Sequence, residues 1–259
     1  MQRRHLIRGL WPYSLFKNNS HFIVFRNWRR FVVCNRDDYS ADMQSLVINP
    51  DQAFAGKLLK ADPTTTLAIY QLNDKTLVVK RYNIKGFWHG LKRCISPTRA
   101  VKCWRNAHHL LALNIATPKP IAIIEKRFGP LRQQAYFIYE FVSGAIGSDI
   151  FTTRSTQQEN FSPLAEKVIY LIKQILDANL SHGDLKTANF IFCEDQVFLI
   201  DLDALRLHFL PFMHRRAKAK NIQRFLANWP DDPALQNLMQ KKVTEILLNS
   251  PGLSVTIIQ

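Results

Sequence analysis

The residues best suited to chemistry lie in one short stretch, SHGDLKTANF, which begins at Ser181. Asp184 and Asn189 are five positions apart on a predicted loop, and Asp201 follows an apolar run over 197–200 that predicts a buried strand. Carboxylate and amide oxygens are the hard ligands that Mg²⁺ binds in proteins. Two such ligands, with a further carboxylate to face an attacking hydroxyl, predict a phosphoryl-transfer site.

The same stretch resembles the catalytic loop of kinases, with HGD in place of HRD and DLD, residues 201–203, in place of DFG. HGDLK followed by IDLD is most similar to the lipopolysaccharide kinases, which act on heptose or Kdo of the outer-membrane core, and to their InaA-type relatives. The resemblance covers about residues 59–229. It implies that Asp184 is the catalytic base, that Lys186 neutralises the transferred phosphoryl group, and that Asn189 and Asp201 bind Mg²⁺. A polar turn capped by Asp184 is the plainer interpretation, but it accounts poorly for all four side chains.

The resemblance also implies an α+β, protein-kinase-like fold of two lobes, a β-rich N-terminal lobe and a reduced, mainly helical C-terminal lobe. A chain of 259 residues is long for one core, which agrees with two lobes. We expect the lobes over residues 53–142 and 143–259, after a basic aromatic extension over residues 1–52. Within the extension, HFIVF and RFVVC favour two ordinary strands, and contact of its arginines and aromatic rings with an acidic membrane is the alternative.

The first expected lobe contains a candidate lysine for ATP. Residues 58–82 predict a hairpin that turns at Asn73, and its second strand contains Lys80. Kinases hold the nucleotide phosphates with a lysine at this place and orient it with a glutamate from the next helix. Here the position that aligns with that glutamate is Asn106, and no acid occurs between Lys75 and Ile124. The sequence therefore predicts either that another partner orients Lys80 or that Asn106 accepts its hydrogen bond without supplying a counter-charge.

Two backbone segments complete the nucleotide site that the resemblance implies. Kinases cover the phosphates with a glycine-rich loop, but the corresponding turn here has no glycine and offers threonine hydroxyls and nearby amides instead. A later segment resembles the hinge, where backbone groups pair with adenine. The expected contacts are Thr64, Thr65 and Thr66 at the turn, and Glu140 and Val142 at the hinge.

Three helix boundaries follow from local signals. A helix with an apolar stripe that includes Trp104 and Leu111 is predicted over residues 98–114. Ser162 followed by proline predicts the start of a second helix, with Ser162 as its N-cap and its end near residue 179. A third helix is expected to end at Trp229, before Pro230.

The net charge of +15 points to an anionic partner. Ten Lys or Arg and no acid lie between residues 75 and 124, and six Lys or Arg and no acid lie over 206–224. The expected partner is an anionic glycolipid or core oligosaccharide, with the acidic face of the inner membrane as a further candidate. Nucleic acid is not expected, because no RRM, KH or helix-turn-helix pattern accompanies the charge.

The expected location is the cytoplasm, either free or peripheral at the inner membrane. No apolar run reaches the roughly 18 to 20 residues that a membrane-spanning helix needs, and the start of the chain does not read as a signal peptide. The four cysteines form no CxxC pair, which favours reduced thiols.

The function expected from these observations is an ATP- and Mg²⁺-dependent kinase that phosphorylates a sugar hydroxyl, heptose or Kdo, of the lipopolysaccharide core. A kinase-like protein with little or no turnover is the first alternative, because the helix glutamate and the glycine-rich loop are missing. A kinase for another small-molecule or protein acceptor is the second. The absence of an APE-type segment and of a large helical subdomain argues against a protein acceptor.

Overall fold

The structure, a computed structural model, describes residues 14–83, 96–152 and 161–248. The chain divides into two compact units. The first comprises residues 1–112 and 118–141, and the second comprises residues 113–117 and 142–259. The boundary at 141–142 falls in the segment that resembles a kinase hinge.

The first unit is built on one antiparallel sheet of seven strands, in the order β1-β2-β6-β7-β5-β4-β3. The strands are β1 (Phe22–Arg26), β2 (Arg30–Asn35), β3 (Leu58–Ala61), β4 (Thr65–Leu72), β5 (Lys75–Tyr82), β6 (Pro120–Phe128) and β7 (Leu131–Glu140). Two helices of this unit are α1 (Ala41–Ile48) and α2 (Arg99–Ala112). The predicted hairpin is confirmed: β4 pairs with β5, and Asn73 at the turn has a φ of 52°, a left-handed value that asparagine tolerates.

The two strands expected from HFIVF and RFVVC are present, and they belong to this same sheet. β2 pairs with β6, so that Phe31 lies opposite Glu125. Helix α1 follows, and the hydroxyl of Ser40 caps it by accepting the backbone N–H of Met43 at 3.2 Å. Met43 packs in the core of the first unit together with Val79 of β5. Residues 22–48 therefore supply two strands and a helix to the first unit, and some of their side chains belong to its hydrophobic core.

The two faces of β5 have different surroundings, because successive side chains of a strand point to opposite faces. Val79 belongs to the core beside α1. Lys80 and Tyr82 share the other face, and the Tyr82 hydroxyl lies 3.1 Å from Sγ of Cys103 on α2. This contact places α2 against the face that includes Lys80.

Helix α2 agrees with its prediction except at one edge. Trp104 is fully buried, as the apolar stripe requires. Leu111 was expected in the same stripe, and that prediction is wrong, because 37% of the side chain is exposed. Neighbouring Leu110 is fully buried and fills the core position in this turn of the helix.

The second unit is mainly helical, with α3 (Gly147–Ile150), α4 (Phe161–Asp177), α5 (Pro211–Leu226) and α6 (Pro233–Leu248) in its described part. Its strands are short: β8 (Ala145–Ile146), β9 (Leu180–Ser181), β10 (Phe190–Cys193), β11 (Gln196–Leu199) and β12 (Arg206–Leu207). They form a three-stranded sheet in the order β11-β10-β8 and a pair β12-β9. A sheet-rich first unit and a helical second unit confirm the α+β class. None of the helices in the described ranges is long and apolar enough to cross a bilayer.

Helix α4 contradicts the predicted N-cap. The helix already includes Phe161, so Ser162 lies inside it. The Ser162 hydroxyl hydrogen-bonds Glu166 at 3.1 Å and accepts from Nζ of Lys242 on α6 at 2.6 Å. These partners, rather than a free backbone N–H, satisfy the serine.

The expected end of the third helix is three residues late, since α5 ends at Leu226. The segment beyond α5 is held by side chains: the indole N–H of Trp229 donates to the carbonyl of Phe151 at 3.1 Å. Of the cysteines expected to be thiols, Cys34, Cys103 and Cys193 form no disulfide within the described residues, and Cys94 lies outside them.

Candidate active site

The candidate catalytic loop begins where β9 delivers the chain to a fully buried histidine, His182. Its Nε2 lies 3.1 Å from the carbonyl of Ile200, which joins the start of the loop to the end of β11. Burial lowers the pKa of His182, and the Ile200 carbonyl opposes this only in part. The ring is therefore neutral at neutral pH and acts as a structural link. Gly183 follows with a φ of +82°, which lets the chain turn without strain from a side chain.

Two asparagines from a later part of the second unit hold the loop backbone. Oδ1 of Asn221, on α5, accepts the N–H groups of His182 at 2.9 Å and of Gly183 at 3.1 Å. Oδ1 of Asn228 accepts the N–H of Thr187 at 3.1 Å, and its Nδ2 donates to the carbonyl of Leu185 at 3.0 Å. The loop is thus fixed along most of its length by side chains some 40 residues later in the sequence.

Sequence reasoning missed both asparagines. The available signal was Asn221 itself, since asparagine is disfavoured within a helix unless its side chain has a hydrogen-bonding role. Nothing in the sequence indicated which backbone groups it would bind.

Helix α3 also packs closely against the loop. A Cβ placed on Gly147 would lie 2.5 Å from the carbonyl oxygen of Thr187, well inside contact distance. Glycine is therefore required at this position for the close approach of two backbones.

Asp184 lies between two cations. Nζ of Lys186 is 2.8 Å from Oδ2, and Nε of Arg224, on α5, is 3.0 Å from Oδ1. Partial burial raises the pKa of Asp184, but the hydrogen bonds and charges of Lys186 and Arg224 outweigh it and hold the pKa below its ordinary value. The carboxylate is therefore ionised. Arg224 is a member of this site that the sequence indicated only as one residue of a basic segment.

Asn189 and Asp201 are brought close to one another by backbone pairing. Nδ2 of Asn189 donates to the carbonyl of Asp184 at 2.9 Å, so its Oδ1 remains as a potential ligand. The N–H of Ile200 donates to the carbonyl of Asn189 at 2.9 Å, and Asp201 is the next residue. Asp201 has a φ of 61° and a ψ of 55°, a left-handed conformation that non-glycine residues rarely adopt.

This pair of side chains fits Mg²⁺ in type, because an amide and a carboxylate oxygen are both hard ligands. The described residues contain no group of three or more His, Cys, Asp or Glu that could hold a metal by themselves. A magnesium ion at Asn189 and Asp201 would therefore take its remaining ligands from phosphate oxygens and water.

The other predicted site residues lie mostly in the first unit. Lys80 is 7% exposed, and its Nζ lies 5.3 Å from the ring centroid of Tyr82. The guanidinium of Arg99, at the start of α2, lies 4.7 Å from the same ring. Two cations therefore lie near the Tyr82 ring, and sequence reasoning did not single out Tyr82 or Arg99.

The threonine turn is organised by an acid. Oδ1 of Asp62 accepts the N–H groups of Thr64 at 2.7 Å and Thr65 at 2.8 Å, and also the Thr64 hydroxyl at 2.7 Å. The hydroxyl of Thr66 lies 3.4 Å from Arg81, whose Nη2 can donate to it. A phosphate that used these amides would have to replace the Asp62 carboxylate.

At the segment that resembles a hinge, two backbone donors are already used. The N–H of Glu140 donates to the carbonyl of Lys119 at 3.0 Å, and that of Phe141 donates to Thr76 at 2.9 Å. The Glu140 carboxylate also pairs with Nζ of Lys119 at 3.3 Å. Val142 is the first residue of the second unit after the boundary.

The structure therefore brings together Asp184, Lys186, Asn189 and Asp201 in the second unit, with Arg224 added. Lys80, Thr64, Thr65, Thr66 and Glu140 lie in the first unit.

Comparisons with known proteins agree with the resemblance seen in the sequence. The model of the lipopolysaccharide kinase (Kdo/WaaP) family matches residues 61–244. Among solved structures, "WaaP in complex with acyl carrier protein" is similar with a TM-score of 0.50 and 16% sequence identity, over 80% of this chain and 97% of that chain. At that identity the likeness concerns the fold. A comparison with curated proteins gave no match.

Proposed function

The chain belongs to the lipopolysaccharide kinase (Kdo/WaaP) family, and from that premise we propose that it transfers the γ-phosphoryl group of ATP to a hydroxyl of heptose or Kdo in the lipopolysaccharide core. The observation that carries the proposal is the ionised Asp184 between Lys186 and Arg224, on the same loop as Asn189, one of the two potential metal ligands. Phosphoryl transfer depends mainly on positioning and on charge stabilisation, and this arrangement supplies both.

Asp184 is proposed to orient the acceptor hydroxyl and to take its proton. Each carboxylate oxygen has two lone pairs, so an oxygen that accepts from Lys186 or Arg224 can accept from a sugar hydroxyl as well. The lowered pKa of Asp184 keeps it ionised and able to accept that hydrogen bond. A late proton transfer suits this weak base, because the transition state of phosphoryl transfer is largely dissociative.

Lys186 is proposed to neutralise the transferred phosphoryl group. Half of its side chain is exposed, so its ammonium can leave Asp184 for a second anion without a large desolvation cost. Arg224 is more enclosed and is proposed to stay with Asp184 when Lys186 moves.

Asn189 and Asp201 are the proposed holders of Mg²⁺. When bound, the ion would neutralise charge on the nucleotide phosphates. The hydrogen bond from Asn189 to the carbonyl of Asp184 orients the Asn189 amide. The left-handed backbone conformation of Asp201 sets the direction in which its own side chain leaves the chain.

The remaining nucleotide contacts are proposed for Lys80, the threonine turn and the hinge-like segment. Lys80 is supported by its burial on the face of the sheet that α2 covers. At Thr64, Thr65 and Thr66 the proposal requires Asp62 to release the amides. At Glu140 and Val142 the adenine contacts would use backbone groups other than the Glu140 N–H, which is already donated.

The acceptor is proposed to be an anionic glycolipid or core oligosaccharide, because the chain has a net charge of +15. A kinase-like protein with little turnover remains the second candidate. The observation that favours it is Asn106, which stands at the position where kinases have the helix glutamate.

The test is γ-phosphoryl transfer from ATP to a water-soluble core oligosaccharide from which phosphates have been removed. We expect Asp184→Asn to lower kcat by about 100-fold or more, in line with loss of a general base, while nucleotide affinity changes by less than about threefold. The matched control is Asp195→Asn, in the exposed turn between β10 and β11.

Two results would contradict the proposal in different ways. If Asp184→Asn kept the parent rate, the base would lie elsewhere. If the parent bound ATP but transferred phosphate to no core acceptor, the second candidate would be favoured.

A further inference from the structure

The exposed apolar side chains of the second unit are concentrated in one place. Fifteen large hydrophobic residues are exposed in the described part of the whole chain, and five of them fall within seven consecutive positions. These five are Leu207 (37% exposed), Phe209 (84%), Leu210 (49%), Phe212 (68%) and Met213 (49%). We call them the 207–213 patch. Such a cluster on a protein surface marks an interaction site rather than ordinary surface composition.

The backbone beneath the patch is anchored at both ends. Leu207 pairs with Leu180 in the β12-β9 ladder, and the N–H of His208 donates to the carbonyl of Asn179 at 2.9 Å. The His208 ring also lies 2.7 Å from the Ser181 hydroxyl. On the other side, α5 is fixed by the fully buried Phe225. The apolar side chains are therefore presented to solvent by a backbone that is itself well packed.

Charge around the patch is mainly positive, and one acid, Asp177 on α4, lies close enough to His214 to oppose part of the lowering of the His214 pKa. The exposed basic residues nearby are Arg206, Arg215, Arg216 and Lys220. No acid occurs between residues 204 and 230. Phe212, Arg216 and Lys220 are spaced four apart on α5, so they lie on one stripe, each about 6 Å from the next.

We infer that the 207–213 patch docks the protein on an anionic lipid bilayer. Phenylalanine, leucine and methionine side chains would enter the boundary between headgroups and acyl chains, and the arginines one turn further along the helix would stay level with lipid phosphates. The occupant is assigned as a bilayer because a membrane presents a uniform negative surface, which matches the four exposed basic residues beside the patch. This surface is distinct from residues 1–52, for which a membrane role was the alternative interpretation.

The inference does not depend on kinase activity, so lipid binding is measured directly. The assay is sedimentation of the full chain with vesicles of phosphatidylglycerol and phosphatidylcholine, and with vesicles of phosphatidylcholine alone. We expect binding only to the anionic vesicles. We expect the double variant Phe209→Ser, Phe212→Ser to bind them about tenfold or more weakly, because two large apolar side chains no longer leave water.

A matched control tests whether any exposed aromatic residue would do. Tyr170→Ser removes a ring that is 57% exposed on α4, away from the patch in sequence, and should bind like the parent. For charge, Arg215→Gln with Arg216→Gln should weaken binding, whereas Lys241→Gln on α6 should not. Thermal unfolding of each variant shows that it is folded, and transfer to a water-soluble acceptor shows that the active site is intact.

Insertion can be distinguished from simple attraction. Phe209→Trp should shift its fluorescence emission to shorter wavelength with anionic vesicles and not with neutral ones. Three results would overturn the inference: parent protein that fails to bind anionic vesicles, a double serine variant that binds like the parent, or a double serine variant whose only change is its oligomeric state. The last result would make the patch an interface between copies of the chain.

Discussion

Asp184 shows how one carboxylate can be held in place and held ionised by the same contacts. Lys186 and Arg224 each donate to a different oxygen of Asp184. Lys186 is two residues away in the chain and half exposed, whereas Arg224 comes from α5 and is less exposed. We therefore assign Arg224 as a positioning residue for Asp184.

Replacing Arg224 tests that assignment. Arg224→Gln should lower kcat by about 10- to 100-fold, because one charge-assisted hydrogen bond contributes roughly 1.5–3 kcal/mol. It should also move the acidic limb of the pH–rate profile to higher pH, since Arg224 helps to hold the pKa of Asp184 down. The profile is measured with a water-soluble acceptor.

The control for this prediction is Arg216→Gln, which removes an exposed arginine of the same helix. It should leave the acidic limb in place. If both variants shifted the limb equally, a general loss of positive charge would explain the result, and Arg224 would have no special part.

Among the individual site residues, the sequence predicted those that are close to one another in the chain. Asp184, Lys186 and Asn189 fall within six consecutive residues, so their proximity is a property of the loop. Arg224 could not be assigned, because 40 residues separate it from Asp184 and only the packing of α5 brings the two together.

The catalytic loop and α5 behave as one element, since Asn221 accepts two consecutive backbone N–H groups of the loop. Asn221 is 4% exposed, and its Nδ2 donates to the carbonyl of Ala217 one turn earlier at 2.7 Å. Among the described residues, no other side chain accepts the N–H groups of both His182 and Gly183.

Asn221→Ala should therefore destabilise the protein by about 2–4 kcal/mol, because the buried N–H of His182 and the part-buried N–H of Gly183 lose their acceptor. Urea unfolding measures this. Gln223→Ala, at an exposed position of the same helix, is the control and should change stability by less than about 0.5 kcal/mol. Equal stability of the two variants would mean that water replaces the asparagine.

Helices and strands whose apolar residues recur with a strong period were predictable, whereas the residues at which they begin and end were not. The β4-β5 hairpin and α2 follow from alternation and from a helical stripe. Ser162 was misread because the local sequence suits an N-cap, while Lys242 of α6 supplies the partner that decides its position. Tertiary contacts override local preference at such points.

At the scale of the whole molecule, the positive charge should control acceptor binding more than nucleotide binding. Exposed charges are screened beyond about 8–10 Å at physiological ionic strength, so a field made by many surface lysines and arginines weakens as salt is added. The Michaelis constant for an anionic core oligosaccharide should therefore rise with salt, and that for ATP should rise less.

A neutral sugar acceptor serves as the control for the salt series. Its Michaelis constant should be high and nearly independent of salt. If the anionic and neutral acceptors were used equally well at every salt concentration, charge would have no part in selecting the acceptor. Residues 84–95, which contribute to one basic run, lie outside the described residues.

Stability should also depend on pH through a half-buried histidine of the first unit. Burial of the ring lowers the pKa of His108 from 6.5 to about 4, and the ring packs on Trp104 and Phe22. Its Nε2 is buried and has no hydrogen-bond partner among the described residues. The unfolded chain takes up the proton near pH 6.5 and the folded protein only near pH 4. Stability is therefore present above pH 6.5 and is lost as the pH falls toward 4, by about 3 kcal/mol for this group.

The measurement is the free energy of unfolding in urea at pH 7, 5.5 and 4. His108→Phe keeps an aromatic ring and removes the titration, so its loss of stability over this range should be smaller by about that amount. A parent and a variant with the same slope would place the titrating group elsewhere.

The division into a sheet-rich and a helical unit followed from the resemblance, because the catalytic motif occurs with one architecture. The contribution of residues 22–48 to the core of the first unit did not follow from the resemblance. Its strands alternate only weakly in sequence, and β2 gains its place by pairing with β6, which lies about 90 residues later.

The left-handed backbone at Asp201 has a consequence for how substitutions there should be interpreted. Only glycine, asparagine and aspartate adopt this conformation readily. The backbone geometry therefore restricts which residue types are tolerated at position 201, independently of any metal binding. A survey of tolerated substitutions would find alanine and glutamate disfavoured whether or not position 201 touches an ion. Of the three permitted residues, asparagine preserves both shape and backbone preference and removes only the charge. Asparagine at this position is thus the informative comparison for metal binding, and the familiar replacement by alanine would confound chemistry with conformation.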